Sequence, residues 1–142
     1  MARILLVDDD RQMLEAMGAY LGWYGFEVEL LEDSSRAIGR LEAGKFDLVI
    51  SGAFTSPVGG YELCENIRKS ENAAVRGVKI ILIAPEEPEL GRFLILKKLG
   101  ADFMNKYEDA GTWRGKIDAA LRFPPPRLIL LRQGFGGQVK EV

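Results

Sequence analysis

Arg3-Ile4-Leu5-Leu6-Val7 runs straight into Asp8-Asp9-Asp10, and Asp47-Leu48-Val49-Ile50-Ser51 runs into Gly52. Each is a short apolar run closed by turn or polar residues, the pattern of a strand buried within a sheet. The chain repeats strand then helix five times. That alternation predicts an α/β fold: a parallel sheet with helices on both faces. In such a sheet the C-terminal ends of neighbouring strands form the reactive crevice. One strand delivers three carboxylates there, and its expected neighbour delivers glycine.

Working outward, the first strand (about 3–7) leads into a helix over about 10–24, with Leu14, Met17 and Leu21 at helical spacing. The second strand, about 27–31, alternates Val28 and Leu30 with Glu27 and Glu29 and reads as a half-exposed edge. Ser34 is the expected N-cap of the second helix, which turns Ala37, Ile38 and Leu41 inward and stops at Gly44. The third strand, about 46–51, is followed by the loop Gly52–Gly60 and a helix to about Lys69. The fourth strand, Val78 to Ala84, holds Ile80-Ile81-Leu82-Ile83. Pro88 suits the first turn of the fourth helix, which ends at Gly100. A short fifth strand near Asp102–Asn105 precedes a fifth helix with Trp113, Ile117 and Leu121 on one face. Beyond residue 121 the character changes: Pro124-Pro125-Pro126 is a stiff hinge, followed by Leu128-Ile129-Leu130-Leu131 and Gly134-Phe135-Gly136-Gly137. The expected organisation is one domain over 1–121 and a Pro/Gly-containing tail over 122–142. That tail is partly ordered, docked on a partner subunit, or folded back on the domain.

Composition narrows the chemistry. The chain has 142 residues, no histidine and one cysteine, which excludes His-based acid–base catalysis, Cys/His zinc sites and internal disulfides. Cys64 lies among apolar helical positions and reads as a core residue. The net charge of −2 divides into −5 over residues 1–121 and +3 over 122–142. Neither half suggests a nucleic-acid or membrane partner, and Arg127, Arg132 and Lys140 are too scattered for a nucleic-acid patch. No apolar run is long enough to span a bilayer, and the chain opens directly on a strand. The expectation is a cytoplasmic protein without a signal peptide and without a DNA-binding or enzymatic domain after the first.

Three motifs in order carry a resemblance. They are Ile4-Leu5-Leu6-Val7-Asp8-Asp9-Asp10; Asp47–Gly52 with Gly60-Tyr61-Glu62-Leu63-Cys64 and Ile67-Arg68; and Leu99-Gly100-Ala101-Asp102-Phe103-Met104-Asn105-Lys106. Over about residues 1–121 the chain resembles the receiver domain of two-component response regulators. The resemblance implies a flavodoxin-like doubly wound fold of five parallel strands in the order 2-1-3-4-5. It implies a cytoplasmic module of phosphorelay signalling in which three carboxylates hold Mg²⁺ and one of them accepts a phosphoryl group from a kinase. A hydroxyl ending strand four and a lysine ending strand five then bind the phosphoryl oxygens, while an aromatic on strand five reports the event.

Carried over residue by residue, Asp8 and Asp9 match the acidic pair and Lys106 matches the lysine. The phosphoacceptor position falls on Gly52, which has no side chain to phosphorylate. The hydroxyl position falls on Ile83 and the switch aromatic on Phe103. Tyr107 stands where the family's proline follows the lysine, so a cis peptide is not expected there. Pro57 lies one residue later than the family's loop proline, and strand five is one residue short before Lys106. Asp47 offers no substitute acid, being about 16 Å from Gly52 along an extended strand. Mg²⁺ binding at Asp8 and Asp9 is therefore expected to be weak or absent, with Lys106 neutralising that pair in its place. Ser51, Thr55 and Ser56 have no histidine base to activate them and read as turn and cap residues.

These readings predict a degenerate, stand-alone receiver, not an enzyme, that acts through protein contacts. The fourth helix is the expected contact surface, because Leu90, Phe93, Leu94, Ile95 and Leu96 form a wider apolar stripe than one buried face requires. The resemblance points to the same place: the helix-four, strand-five, helix-five face, for a protein partner or a homodimer. Two other classes compete. Asp8-x-Asp10 after a strand resembles the acid pair of haloacid-dehalogenase-like phosphatases, but a second acidic cluster and a cap domain are missing. A flavodoxin-like cofactor binder would need a phosphate loop after strand one, where three aspartates would repel an anion.

Overall fold

The computed structural model describes residues 2–122. Its strands are β1 (Arg3–Val7), β2 (Glu27–Leu31), β3 (Leu48–Gly52), β4 (Lys79–Ala84) and β5 (Asp102–Asn105). The helices are α1 (Arg11–Trp23), α2 (Ala37–Ala43), α3 (Gly60–Arg68), α4 (Ala73–Arg76), α5 (Leu90–Leu99) and α6 (Ala110–Arg122). All strand pairs are parallel, in the order β2-β1-β3-β4-β5. β2 is the edge, as its alternation predicted, and Leu30 stays partly exposed there.

Period-two alternation distributes the core. Leu5, Val7, Val49, Ile80 and Leu82 face α2, α3 and α5, while Ile4, Leu6, Leu48, Ile50 and Ile81 face α1 and α6. Burying each such side chain contributes about 1.5–3 kcal/mol relative to leaving it in water. Leu14, Met17 and Leu21 close the α1 side, Ala37 and Leu41 the α2 side, and Cys64 is buried on α3. Ile117 is buried on α6, while Trp113 and Leu121 pack on that core half-buried.

Three local expectations are corrected. Asp33, not Ser34, caps the segment before α2, which opens with a 3₁₀ turn over Ser34–Arg36. Ser34 is buried instead, its hydroxyl accepting the Val58 N–H at 2.9 Å. Helix α5 begins at Leu90, two residues after Pro88, because Glu89 remains extended and its carbonyl takes the Phe93 N–H. The short α4 was not expected at all, and it makes the predicted fourth and fifth helices α5 and α6. The cis peptide among the described residues is Ser56–Pro57, in the loop after β3. Residues 122–142 were expected to form a tail; Arg122 ends α6, and the rest lie outside the described residues.

Gly60 fixes how closely α3 approaches the sheet. A Cβ there would lie 2.2 Å from the Gly52 carbonyl oxygen and 2.8 Å from Ala53 Cα, both backbone atoms that cannot move aside. The start of α3 therefore presses directly against the end of β3.

Candidate functional site

The C-terminal ends of β1, β3 and β4 and the residue after β5 surround a cavity of about 120 Å³, into which Asp8, Asp9, Asp10, Gly52, Ile83 and Lys106 all turn. The fold thus gathers every pocket residue named from sequence.

Each carboxylate has a separate task. Asp8 lies over Gly52: a Cβ built on that glycine would meet Asp8 Oδ2 at 2.8 Å and Thr55 Cγ2 at 3.0 Å. Its other oxygen, Oδ1, accepts the Asp10 N–H at 2.9 Å. Asp9 Oδ2 accepts the Ser56 N–H at 2.9 Å and ties the β3–α3 loop to β1. Asp10 caps α1, its Oδ1 accepting from the Gln12 and Met13 amides at 3.0 and 3.2 Å. Partial burial pushes the Asp8 carboxyl above its ordinary range, and repulsion from Asp9 and Asp10 adds to this; the Asp10 N–H and the Lys106 charge oppose it.

Lys106 corrects one expectation. Its Nζ lies 3.7 Å from Asp10 Oδ2, so its ion pair is with Asp10 and not with Asp8 or Asp9. Asp10, capping the helix beside β1, leaves one oxygen directed at the lysine. The Lys106 N–H bonds the Ala84 carbonyl at 2.7 Å, anchoring the end of β5 to β4. Ile83 is buried and offers the pocket no polar atom; its carbonyl accepts the Ala53 N–H. Thr55 donates to the Val58 carbonyl at 2.6 Å, and Ser51, wholly buried, donates to the Gly52 carbonyl. Thr55 thus bonds within the loop after β3, whereas Ser51, expected as a turn or cap residue, lies inside β3.

Phe103 points to the opposite face of the sheet from Met104 and lines a second cavity, about 300 Å³, between α5, β5 and α6. On α5, Leu90 (72%), Phe93 (43%), Leu94 (56%) and Ile95 (42%) are exposed. Leu96 is not: at 2% exposure it packs in the core beside Leu99 and leaves the expected contact surface. A continuous apolar run hides which residues turn inward, and the Leu96/Leu99 spacing sets the choice. Sequence reasoning quoted Arg68 only as part of a motif, with no role, and passed over Arg92. Arg68 carried a readable signal, since it lies four residues from Cys64 on the buried face of α3.

The model of the response regulator receiver domain matches residues 4–117. The chain belongs to this family. Among its relatives, the uncharacterized transcriptional regulatory protein YvcP of Bacillus subtilis is 30% identical over 122 residues, 86% of this chain and 49% of that protein. A transcriptional regulatory protein CpxR homolog of Haemophilus influenzae is 30% identical over 102 residues, 72% of this chain and 42% of that protein. The receiver therefore spans about half the length of the curated relatives it matches or less. Among solved structures, the CheY-like receiver domain protein of Methanospirillum hungatei superposes with a TM-score of 0.75 at 26% identity, covering 85% of this chain and 94% of that one. The chemotaxis response regulator CheY4 of Vibrio cholerae gives 0.76 at 23% identity, covering 85% and 99%, a likeness of fold alone.

Membership of the family implies Mg²⁺ in this pocket. Mg²⁺ demands near-octahedral oxygen donors and is usually anchored by one or two carboxylates with waters and phosphate oxygens. Here one carboxylate oxygen each of Asp8 and Asp9 already accepts a backbone N–H, and Asp10 is held by α1 and Lys106. Among the described residues no three His, Cys, Asp or Glu side chains are grouped to hold a metal. Asp8 Oδ2 and Asp9 Oδ1 would be the carboxylate oxygens left to hold the ion, and Gly52 brings none, one carboxylate short of the family's three. The phosphatase reading of Asp8 and Asp10 finds no support, because Asp10 is committed as a helix cap. No helix of the described residues is long and apolar enough to cross a membrane.

Proposed function

We propose that this receiver takes no phosphoryl group at the usual position and works through protein contacts made by α5, β5 and α6. One observation carries the reading: the space an acceptor side chain would need at Gly52 is held by the Asp8 carboxylate, 2.8 Å from where a Cβ would stand. Adding an acid there means displacing an acid. Around it, Ile83 offers no hydroxyl for phosphoryl oxygens and Lys106 is paired with Asp10. With the chemistry missing from the pocket, output falls to surfaces. The exposed Leu90, Phe93, Leu94 and Ile95 form the apolar group on α5 suited to a protein partner or a second copy of the chain.

Incubation with acetyl phosphate, or with beryllofluoride, in the presence of Mg²⁺ tests the first part. The expected result is no phosphoryl mass increment and no change in the amide NMR spectrum around Gly52, Ile83 and Lys106. A stable adduct, or shifts spreading from the pocket to Phe103 and α5, would overturn it.

A further inference from the structure

Helix α5 has a weak hold of its own. Of its ten residues only Leu96 and Leu99 are buried, Gly91 sits in its first turn, and the N-cap residue Glu89 makes no side-chain cap bond. Such a helix needs tertiary contacts to stay in place. Two arginines supply them from opposite ends.

At the base, Arg68 ends α3 and is 2% exposed. Its Nε donates to the Leu99 carbonyl at 2.7 Å. Nη1 donates to the carbonyls of Val78 at 2.6 Å and Arg76 at 2.8 Å, and Nη2 reaches that of Gly100 at 3.4 Å. Leu99 and Gly100 form the C-terminus of α5, and Arg76 that of α4, where carbonyls lack partners and the negative ends of the helix dipoles lie. Only the five-donor planar fork of arginine can serve so many acceptors at once. At the top, the Arg92 guanidinium lies 5.1 Å from the ring centre of Phe54 and 5.5 Å from that of Tyr61. Phe54 belongs to the loop two residues after Gly52, and Tyr61 is the second residue of α3.

We infer that Arg68 and Arg92 anchor α5 in a single orientation, so that its exposed apolar face is presented constantly and without a phosphoryl event. The inference rests on the reading of α5 as the contact face. Both anchors run to α3 and the loop entering it, and α3 is pressed on the sheet at Gly60. The helix is thus tied near both ends to α3 and the loop that enters it. The Arg92 contact begins on the very loop that follows the missing acceptor, and side-chain stacking holds it there.

Amide hydrogen exchange on the full chain tests this. Replacing Arg92 by alanine (Arg92→Ala) is expected to speed exchange in the first two turns of α5 by about 2–5-fold, leaving α1 and β1 unchanged. Alanine is the better helix former, so faster exchange cannot come from propensity. Arg68→Met is expected to speed exchange at the last turn of α5 and at residues 76–78 by about tenfold or more. Arg68→Lys, which keeps the charge but not the fork, should not restore protection. Unchanged α5 exchange in Arg92→Ala, or an equal rise in every element in Arg68→Met, would overturn the inference. The contact-face reading fails on a different readout, the mass in solution of a Leu94 variant, so the two are separable.

Discussion

Asp8 occupies the gap beside Gly52 at an electrostatic cost. Its carboxyl is partly buried and lies near Asp9 and Asp10, so its pKa in the folded state stands above the ordinary 3.8. A raised carboxyl pKa means that folding favours the protonated form. The contribution to stability is full below the unfolded value and is lost as pH rises through the folded value. As pH rises through that value the folded protein takes on the unfavourable charge at Asp8. Asp8→Asn keeps an oxygen to accept the Asp10 N–H and removes the charge, so its thermal midpoint at pH 7 should rise by about 3 °C. The difference should vanish below the ordinary carboxylate pKa. Thermal scans between pH 3.5 and 8 check this; an equal or larger gain at low pH would show that the effect is not electrostatic. The acids and the glycine were legible in sequence because strand ends follow from hydrophobic runs. The pairing of Lys106 with Asp10 was not, because it depends on where α1 starts, and Asp10 lies one residue before the first helical turn.

Elements with a full apolar period were readable, and those below that length were not. Strands β1, β3 and β4 and helices α1, α3 and α6 each bury residues at their proper spacing, and where boundaries were expected, for all but α6, they lie within about two residues. Helix α4 spans four residues, a single turn with one buried side chain, Val75. No periodicity can declare it, yet Asn72 marks its start, the side-chain oxygen accepting from the Ala74 and Val75 amides at 3.0 and 3.2 Å. This turn leads to the Arg76 carbonyl that Arg68 grips, so its cap supports more than its own length. Asn72→Ala should cost about 1 kcal/mol in urea unfolding at constant m-value. A change below a few tenths would mean that the Arg68 contacts alone hold the turn. The apolar run of α5 shows the opposite failure of legibility. Phe93-Leu94-Ile95-Leu96 marks a helix with more apolar surface than one face uses, but which side chain is core depends on the sheet beneath it.

At the scale of the molecule, the pocket and the exposed apolar group lie at different places on the fold. The sheet gathers the receiver's residues at one end, while the exposed apolar group lies along the outer side of α5, reached from the pocket loop through Arg92. A patch that serves contact and not folding has a testable property: its residues can be changed without loss of stability. Leu94 is more than half exposed, so Leu94→Asp should alter unfolding free energy by no more than about 0.5 kcal/mol. The same change places a charge in the middle of any interface built on this face, where burial without a partner is costly. Light scattering of the full chain over a range of concentrations is expected to give a mass rising above that of one chain, and Leu94→Asp should hold it at one. If the unaltered chain stays monomeric throughout, both intact and shortened to end at Arg122, self-association is excluded. If Leu94→Asp unfolds with a loss of several kcal/mol, Leu94 is a packing residue and the patch has no surplus to offer a partner.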